Sequence, residues 1–111
     1  MALARLAAAQ KDADLARLAA VSAKLNAAVR ARDNLDAELA AEMALATRYP
    51  EVPVLRALDA HVLLSQKTRG TLEAEITRIE LTREDQRQLC ARSFGRAEVL
   101  HRLCDNATKN R

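Results

Sequence analysis

The chain has 111 residues, of which 50% are hydrophobic but only 2% aromatic, and its formal net charge is +3. A chain of this length forms one domain, yet a globular core of this size normally uses several aromatic side chains. Abundant Ala, Leu, Arg and Glu with few Gly and Pro is the composition of long helices and coiled coils. Because the charges are mixed and stacking aromatics are scarce, we expect no nucleic-acid partner.

One short interruption divides the chain, because both prolines lie in the segment Tyr-Pro-Glu-Val-Pro at residues 49–53. Proline lacks a backbone donor and clashes with the preceding turn, so a pair of prolines ends one helix and permits the next to begin. We predict a first helix over residues 3–48, a turn at 49–53 and a second helix over 54–108. The two arms would span roughly 70 and 80 Å. The expected fold is all-α, a long antiparallel two-helix coiled-coil hairpin that forms a single domain over residues 1–111.

A heptad repeat runs along the second helix, with Leu55 at position a and Leu58 at position d. Most of its a and d positions are apolar, which favours a left-handed coiled coil over an ordinary amphipathic helix. The register passes unchanged through Gly70, so we expect no break there. Near the C-terminus an apolar stripe departs from the repeat, which suggests a second surface at Leu89, Phe94 and Leu103.

Polar residues interrupt this seam. They are Arg69 and Arg83 at position a, and Ser65, Gln86 and Ser93 at position d. Polar core residues weaken a coiled coil but specify its register and its partner. The alternative is that the long arginine stems extend outwards and leave their charges in solvent.

The first helix has a less regular pattern. Two heptad series, one containing Leu18 and Leu25 and the other Val21 and Ala28, continue towards the turn, but the register fails before residue 15. The first dozen residues are therefore expected to be frayed, or ordered only on a partner. The hexamer LARLAA occurs at residues 3–8 and 15–20. An offset of twelve residues rotates a helix by about 120°, so the copies face different ways.

The sequence contains no recognisable catalytic or metal-binding motif. It has no phosphate-binding loop, no His-Glu-x-x-His and no Cys-x-x-Cys. His61 and His101 are too far apart to share a metal, and Cys90 and Cys104, roughly 21 Å apart on one helix, cannot form a disulfide. We expect no enzyme, no cofactor and no metal. Unpaired thiols fit a reducing compartment, and the lack of a signal peptide or membrane span predicts a cytoplasmic protein.

The segment from Val54 to Gln66, VLRALDAHVLLSQ, resembles the start of the second helix in the FliJ/YscO family. These are small coiled-coil stalk proteins of the flagellar and type III secretion export apparatus. The heptads over Glu73–Arg87 and the stretch Ala97–Leu103 are similar to the family's later segments. The resemblance implies a hairpin whose end carrying both termini enters the pore of a hexameric export ATPase, and which also contacts the export-gate membrane protein.

Two sets of binding residues follow from this resemblance. The export-gate face would comprise Val54, Leu58, His61 and Ser65. Val54 stands where flagellar members can carry Phe, and Ser65 where they can carry His, a departure that suggests the type III secretion branch. The end that binds the ATPase ring is mildly basic. Its cations are Arg92, Arg96, Arg102, Lys109 and Arg111.

The resemblance also implies where the protein works. The implied partners are the hexameric export ATPase, the export gate and secretion chaperones, without direct membrane insertion. The implied location is cytoplasmic and peripheral to the membrane export apparatus. Two other functions remain open: an export chaperone or adaptor that captures a helical substrate in a groove, or a structural coiled-coil dimer.

Overall fold

The structure, a computed structural model, describes residues 2–109, the last of them in its backbone alone. Two helices make up nearly all of this range. Helix α1 spans Ala2–Arg48 and helix α2 spans Val52–Lys109. The chain is an all-α helical hairpin in which α1 and α2 run antiparallel. This confirms the fold class expected from composition and from the position of the prolines.

Helix α1 ends where the first proline takes effect. The Tyr49 N–H still donates to the Leu45 carbonyl at 2.9 Å, which completes the last turn of α1. The next residue is Pro50, and the residue before a proline is disfavoured in the helical conformation. The helix therefore stops at Arg48.

Helix α2 begins at Val52, two residues before the predicted start at residue 54. It contains Pro53 in its first turn, where a missing N–H costs nothing because it would have no intrahelical partner. The Leu55 N–H donates to the Glu51 carbonyl at 3.0 Å and closes this turn. The second proline thus belongs to the helix, and the turn is shorter than predicted.

Side-chain burial on α2 follows the predicted heptad repeat. From Leu58 to Cys104, every a and d residue except Arg69 is buried or half-buried. The exposed Arg69 directs its Nε to Asp36 Oδ1 of α1, 3.2 Å away. Arg69 therefore matches the interpretation in which a long stem carries the charge out to solvent. Arg83, the other polar a residue, is half-buried. The helix passes through Gly70 without a break.

The prediction that the heptad register of α1 fails before residue 15 is wrong. Helix α1 begins at Ala2, and its less exposed residues over the first two heptads are Ala4, Ala7, Lys11 and Asp14. These positions continue the two series found further along. The repeat was hidden because a lysine and an aspartate occupy two of its core positions, so the pattern of apolar residues stops while the pattern of contacts does not.

Contacts between the two helices group the chain into two units, and the turn unit comprises Lys24–Ile79. Its core contains Leu25, Ala28 and Ile76, with Val29 and Ile79 packed against them. Leucine, alanine and isoleucine at a and d positions are the ordinary content of a coiled-coil seam. Hydrophobic contact therefore holds α1 and α2 together in this unit.

The terminal unit comprises Met1–Ala23 and Glu80–Arg111. Its most buried residues are Asp14, Cys90 and Ser93, two of which are polar. A polar group removed from water costs free energy unless it is hydrogen-bonded. The interior of this unit therefore depends on polar pairing as well as on apolar contact.

Candidate protein-binding surfaces

The terminal unit carries an open groove of about 540 Å³ between α1 and α2. It is lined from α1 by Leu3, Leu6, Ala7 and Gln10, and from α2 by Gly95, Arg96, Val99 and Leu100. Three of the four larger apolar side chains among them, Leu3, Leu6 and Val99, are each more than half exposed, and the fourth, Leu100, is half-buried. We call this surface the terminal groove.

The position of Leu3 and Leu6 follows from helix geometry. Both belong to the first copy of LARLAA, in which they flank the seam and face the groove. In the second copy Leu18 lies half-buried on the seam instead. The same hexamer therefore presents different faces, as its rotation of about 120° predicts. The first copy exposes its leucines and the second partly buries one.

A hydrogen-bonded polar cluster lies within the terminal unit, centred on Asp14, which is 4% exposed. The Ser93 hydroxyl donates to Asp14 Oδ2, and the Arg17 guanidinium donates to Asp14 Oδ1 at 3.0 Å. The Gln86 amide donates to the Asp14 backbone carbonyl at 3.3 Å. Ser93 and Gln86 belong to α2, so the cluster joins the two helices.

The hydrogen bonds of this cluster restrict how far α1 and α2 can slide along each other. A hydrogen bond has a narrow range of distance and angle, whereas apolar contact tolerates sliding. A buried polar group in a coiled coil can therefore specify register. Sequence reasoning identified Gln86 and Ser93 as polar d residues but missed Asp14. The sequence did contain a sign of its position, because Asp14 lies seven residues, one heptad, before the seam residue Val21.

The opposite side of the terminal unit has a smaller groove, of about 180 Å³, which includes Phe94. Lys11 Nζ lies 4.7 Å from the centre of the Phe94 ring, within the range of a cation–π interaction. Next to it, His101 Nε2 is 3.4 Å from Asp105 Oδ2. Phe94 thus lies on a different side from Leu3 and Leu6, and its ring face is partly occupied by a lysine.

The predicted ring-binding cations have different surroundings. Arg92 and Arg96 are exposed, and Arg96 lines the terminal groove. Arg102 is paired with Glu98, with Nε 3.1 Å from Oε1. The side chain of Lys109 and the whole of Arg111 lie outside the described residues. Of the cations whose side chains are described, Arg92 and Arg96 are therefore the ones available to an acidic partner.

The positive charge of the chain belongs to the terminal unit. Over the residues assigned to that unit the sequence has ten basic and seven acidic side chains, whereas the turn unit has eight of each. The difference of three in the first and zero in the second reproduces the net charge of +3. An acidic surface is consequently attracted to the terminal unit.

The turn unit has its own groove, of about 410 Å³. It is lined by Glu42, Leu45, Ala46, Val54, Ala57, Leu58 and His61. Three of the four predicted gate-face residues thus share one surface. The fourth, Ser65, is 3% exposed in the interface between the helices, so it offers no surface to a partner. As a d residue it faces α1, which corrects its inclusion in that face.

In the groove of the turn unit, His61 contacts an acidic side chain of the other helix. Its Nε2 atom lies 3.1 Å from Glu42 Oε2 of α1. The same nitrogen is shielded from solvent and has no hydrogen-bond partner among residues 2–109. The 3.1 Å contact brings the imidazole ring against the carboxylate of Glu42. This arrangement holds His61 against α1 at the rim of the groove.

Two kinds of site are not found among residues 2–109. No three His, Cys, Asp or Glu side chains in that range come close enough together to hold a metal ion. Neither helix, over the same range, contains an apolar stretch long enough to cross a bilayer.

Comparison of the chain with protein-family models, with curated proteins and with solved structures yields no match. The resemblance to the FliJ/YscO family therefore depends on the two-helix layout, on the segment Val54–Gln66 and on the later segments Glu73–Arg87 and Ala97–Leu103. The geometry itself offers two open apolar grooves, one of them in a unit of net positive charge.

Proposed function

We propose that this chain is a non-catalytic coiled-coil component of a type III protein export apparatus, flagellar or virulence-associated. In that role it acts as a central stalk that binds and regulates the hexameric export ATPase and links it to the export gate. The assignment to an export apparatus rests on the resemblance of Val54–Gln66 to the FliJ/YscO family. One structural observation supports a binding role: the terminal unit combines the net positive charge of the chain with an open apolar groove. Such a surface suits protein binding.

Each unit supplies one of the two contacts in this proposal. The terminal unit binds the ATPase ring through the apolar side chains of its groove and through its cations, which are Arg92, Arg96, Arg102, Lys109 and Arg111. The turn unit contacts the export-gate membrane protein through Val54, Leu58 and His61, which line its groove. Leu58 has a structural role as well, because it is a d residue on the seam.

The experiment has two steps. The tagged chain is first recovered from its native host, and a hexameric secretion ATPase is expected among the bound proteins. That ATPase is then purified and tested against the chain with residues 102–111 removed. We expect ring binding to be lost while the circular dichroism of the truncated chain stays helical. A folded truncation that still binds the ring would refute the role given to residues 102–111.

A second candidate is an export chaperone or adaptor that holds a helical substrate. The exposure of Leu3, Leu6 and Val99 favours it, since a chaperone needs an apolar groove in its free state. Recovery of a secreted protein in place of the ATPase would select this function. A structural dimer is distinguished by mass in solution, because the stalk is expected to be monomeric.

A further inference from the structure

We propose that the terminal groove seats one amphipathic helix of another protein, and that this helix carries acidic residues along its flank. The inference rests on the proposed function in one respect, since both assign partner binding to the terminal unit. It goes further by naming the structural element and the charge that the groove recognises. The terminal groove lies between α1 and α2.

The shape of the groove favours a helix. Every backbone group along its walls belongs to α1 or α2, so no sheet edge is present on either wall to which a strand could be added. Two packed helices present ridges and grooves that accept the ridges of a third. Leu3, Leu6 and Gln10 recur at intervals of three and four residues, which is the spacing at which one helix contacts another.

The charge of the groove favours an acidic flank. Arg96 is the one charged residue among the eight that line it, and Arg92 lies one helical turn away on the same face. Within residues 2–109, neither arginine has a carboxylate partner. The nearby carboxylates of Glu98 and Asp105 contact Arg102 and His101 instead. A carboxylate on the incoming helix would therefore meet uncompensated positive charge.

The same charge disfavours a second copy of this chain as the occupant. A second terminal unit would bring its own excess of basic residues against Arg92 and Arg96, and like charges in contact are unfavourable. An anionic membrane surface would satisfy the charge. However, the apolar residues line a concave groove between two helices, which a flat surface fills poorly.

The test uses the full chain and two designed helical peptides. Both peptides place leucines at intervals of three and four residues, and they differ in carrying glutamates or lysines along the flanks. We expect the acidic peptide to bind in a fluorescence anisotropy titration and the basic peptide not to bind. Equal binding of the two would overturn the inference, and so would no binding of the acidic one.

Matched variants locate the binding site. Leu6 and Leu81 are 65% and 66% exposed, and both belong to the terminal unit, but Leu6 alone lines the groove. We expect Leu6→Gln to weaken binding of the acidic peptide by about tenfold, and Leu81→Gln to leave it unchanged. Arg96→Glu should likewise weaken binding, whereas Arg87→Glu, an equal change of charge away from the groove, should not. Equal effects within either pair would refute the site.

Three further results separate this inference from its alternatives. Sedimentation should give a monomer, and a dimer lost in Leu6→Gln would identify a second copy as the occupant. Binding to phosphatidylserine vesicles that depends on Leu6, without peptide binding, would identify a membrane surface. The purified ATPase ring is tested separately. If the ring binds and the acidic peptide does not, this inference fails while the proposed function stands. If the acidic peptide binds and the ring does not, the proposed function fails while this inference stands.

Discussion

Asp14 and Ser93 meet in the interface between α1 and α2, and the serine hydroxyl donates a hydrogen bond to the aspartate carboxylate. Both residues are 4% exposed. A carboxylate so far removed from water needs donors, and this one receives them from Ser93 and from Arg17. The interaction makes the terminal unit sensitive to substitutions that a purely apolar seam would tolerate.

Replacing Ser93 with Ala should lower the free energy of unfolding by about 1–3 kcal/mol, because a buried carboxylate oxygen loses its donor. Urea unfolding followed by circular dichroism measures this change. Ser22→Ala is the matched control, as it makes the same chemical change in the same unit at a half-buried serine, and it should cost less stability than Ser93→Ala. If the two variants lose equal stability, the hydrogen bond contributes nothing specific.

Replacing both Asp14 and Ser93 with apolar residues should cost far less stability than replacing Ser93 alone. In the double variant Asp14→Leu with Ser93→Val, neither a buried charge nor an unpaired hydroxyl remains. Apolar replacement of buried ionic groups is often neutral or stabilising by about 1–4 kcal/mol. We therefore expect this variant to unfold at a urea concentration equal to or above that of the original chain. A loss greater than that of Ser93→Ala alone would contradict this account.

Gly70→Ala should stabilise the chain by about 0.5–1 kcal/mol, because glycine in a helix interior costs conformational entropy. Helix α2 is continuous at this position, and a Cβ added there would have no atom within 4 Å. Thermal unfolding monitored by circular dichroism tests the prediction. The change in stability can be compared with that of Gly95→Ala, since a Cβ added at Gly95 also meets nothing within 4 Å. Gly95 differs in that it lines the terminal groove. A destabilised Gly70→Ala variant would show that the helix needs glycine at this position.

Ile76→Ala should produce the largest single loss of stability in the turn unit, about 2–5 kcal/mol. Ile76 is 5% exposed and packs in the cluster with Leu25 and Ala28, so its removal leaves a cavity in the seam. Chemical denaturation gives the magnitude. The control is Leu81→Ala, which removes a similar volume from an exposed position and should cost less than about 0.5 kcal/mol. A small effect at Ile76 would mean that the seam collapses around the missing side chain.

The ion pair between Arg69 and Asp36 should contribute less than about 1 kcal/mol, since both side chains are close to half exposed. A double-mutant cycle with Arg69→Ala and Asp36→Ala isolates the interaction. Its coupling energy should fall further as salt is added, because exposed charges are screened. A large coupling that does not respond to salt would contradict the weak, screened ion pair expected here.

Local features of the sequence were sufficient for the fold. Proline acts on its own backbone and on the residue before it, so Pro50 marks the end of α1 without reference to any other part of the chain. The heptad repeat of α2 is also local, and it placed Ile76 and Cys90 in the seam correctly. The start of α2 was displaced by two residues because the first turn of a helix tolerates proline, as Pro53 shows.

The candidate surfaces required the tertiary structure. The spacing of Asp14 from Val21 places it in the seam, but its role depends on the residues of α2 that lie opposite it, which sequence spacing alone does not reveal. The terminal groove likewise combines Leu6 with Val99, residues far apart in the chain but adjacent in the hairpin. The sequence by itself therefore determined the two helices and most of the seam, since turn chemistry and periodicity act over a few residues. Pairing between distant residues decided the polar cluster and the grooves, because burial and charge there depend on both helices at once.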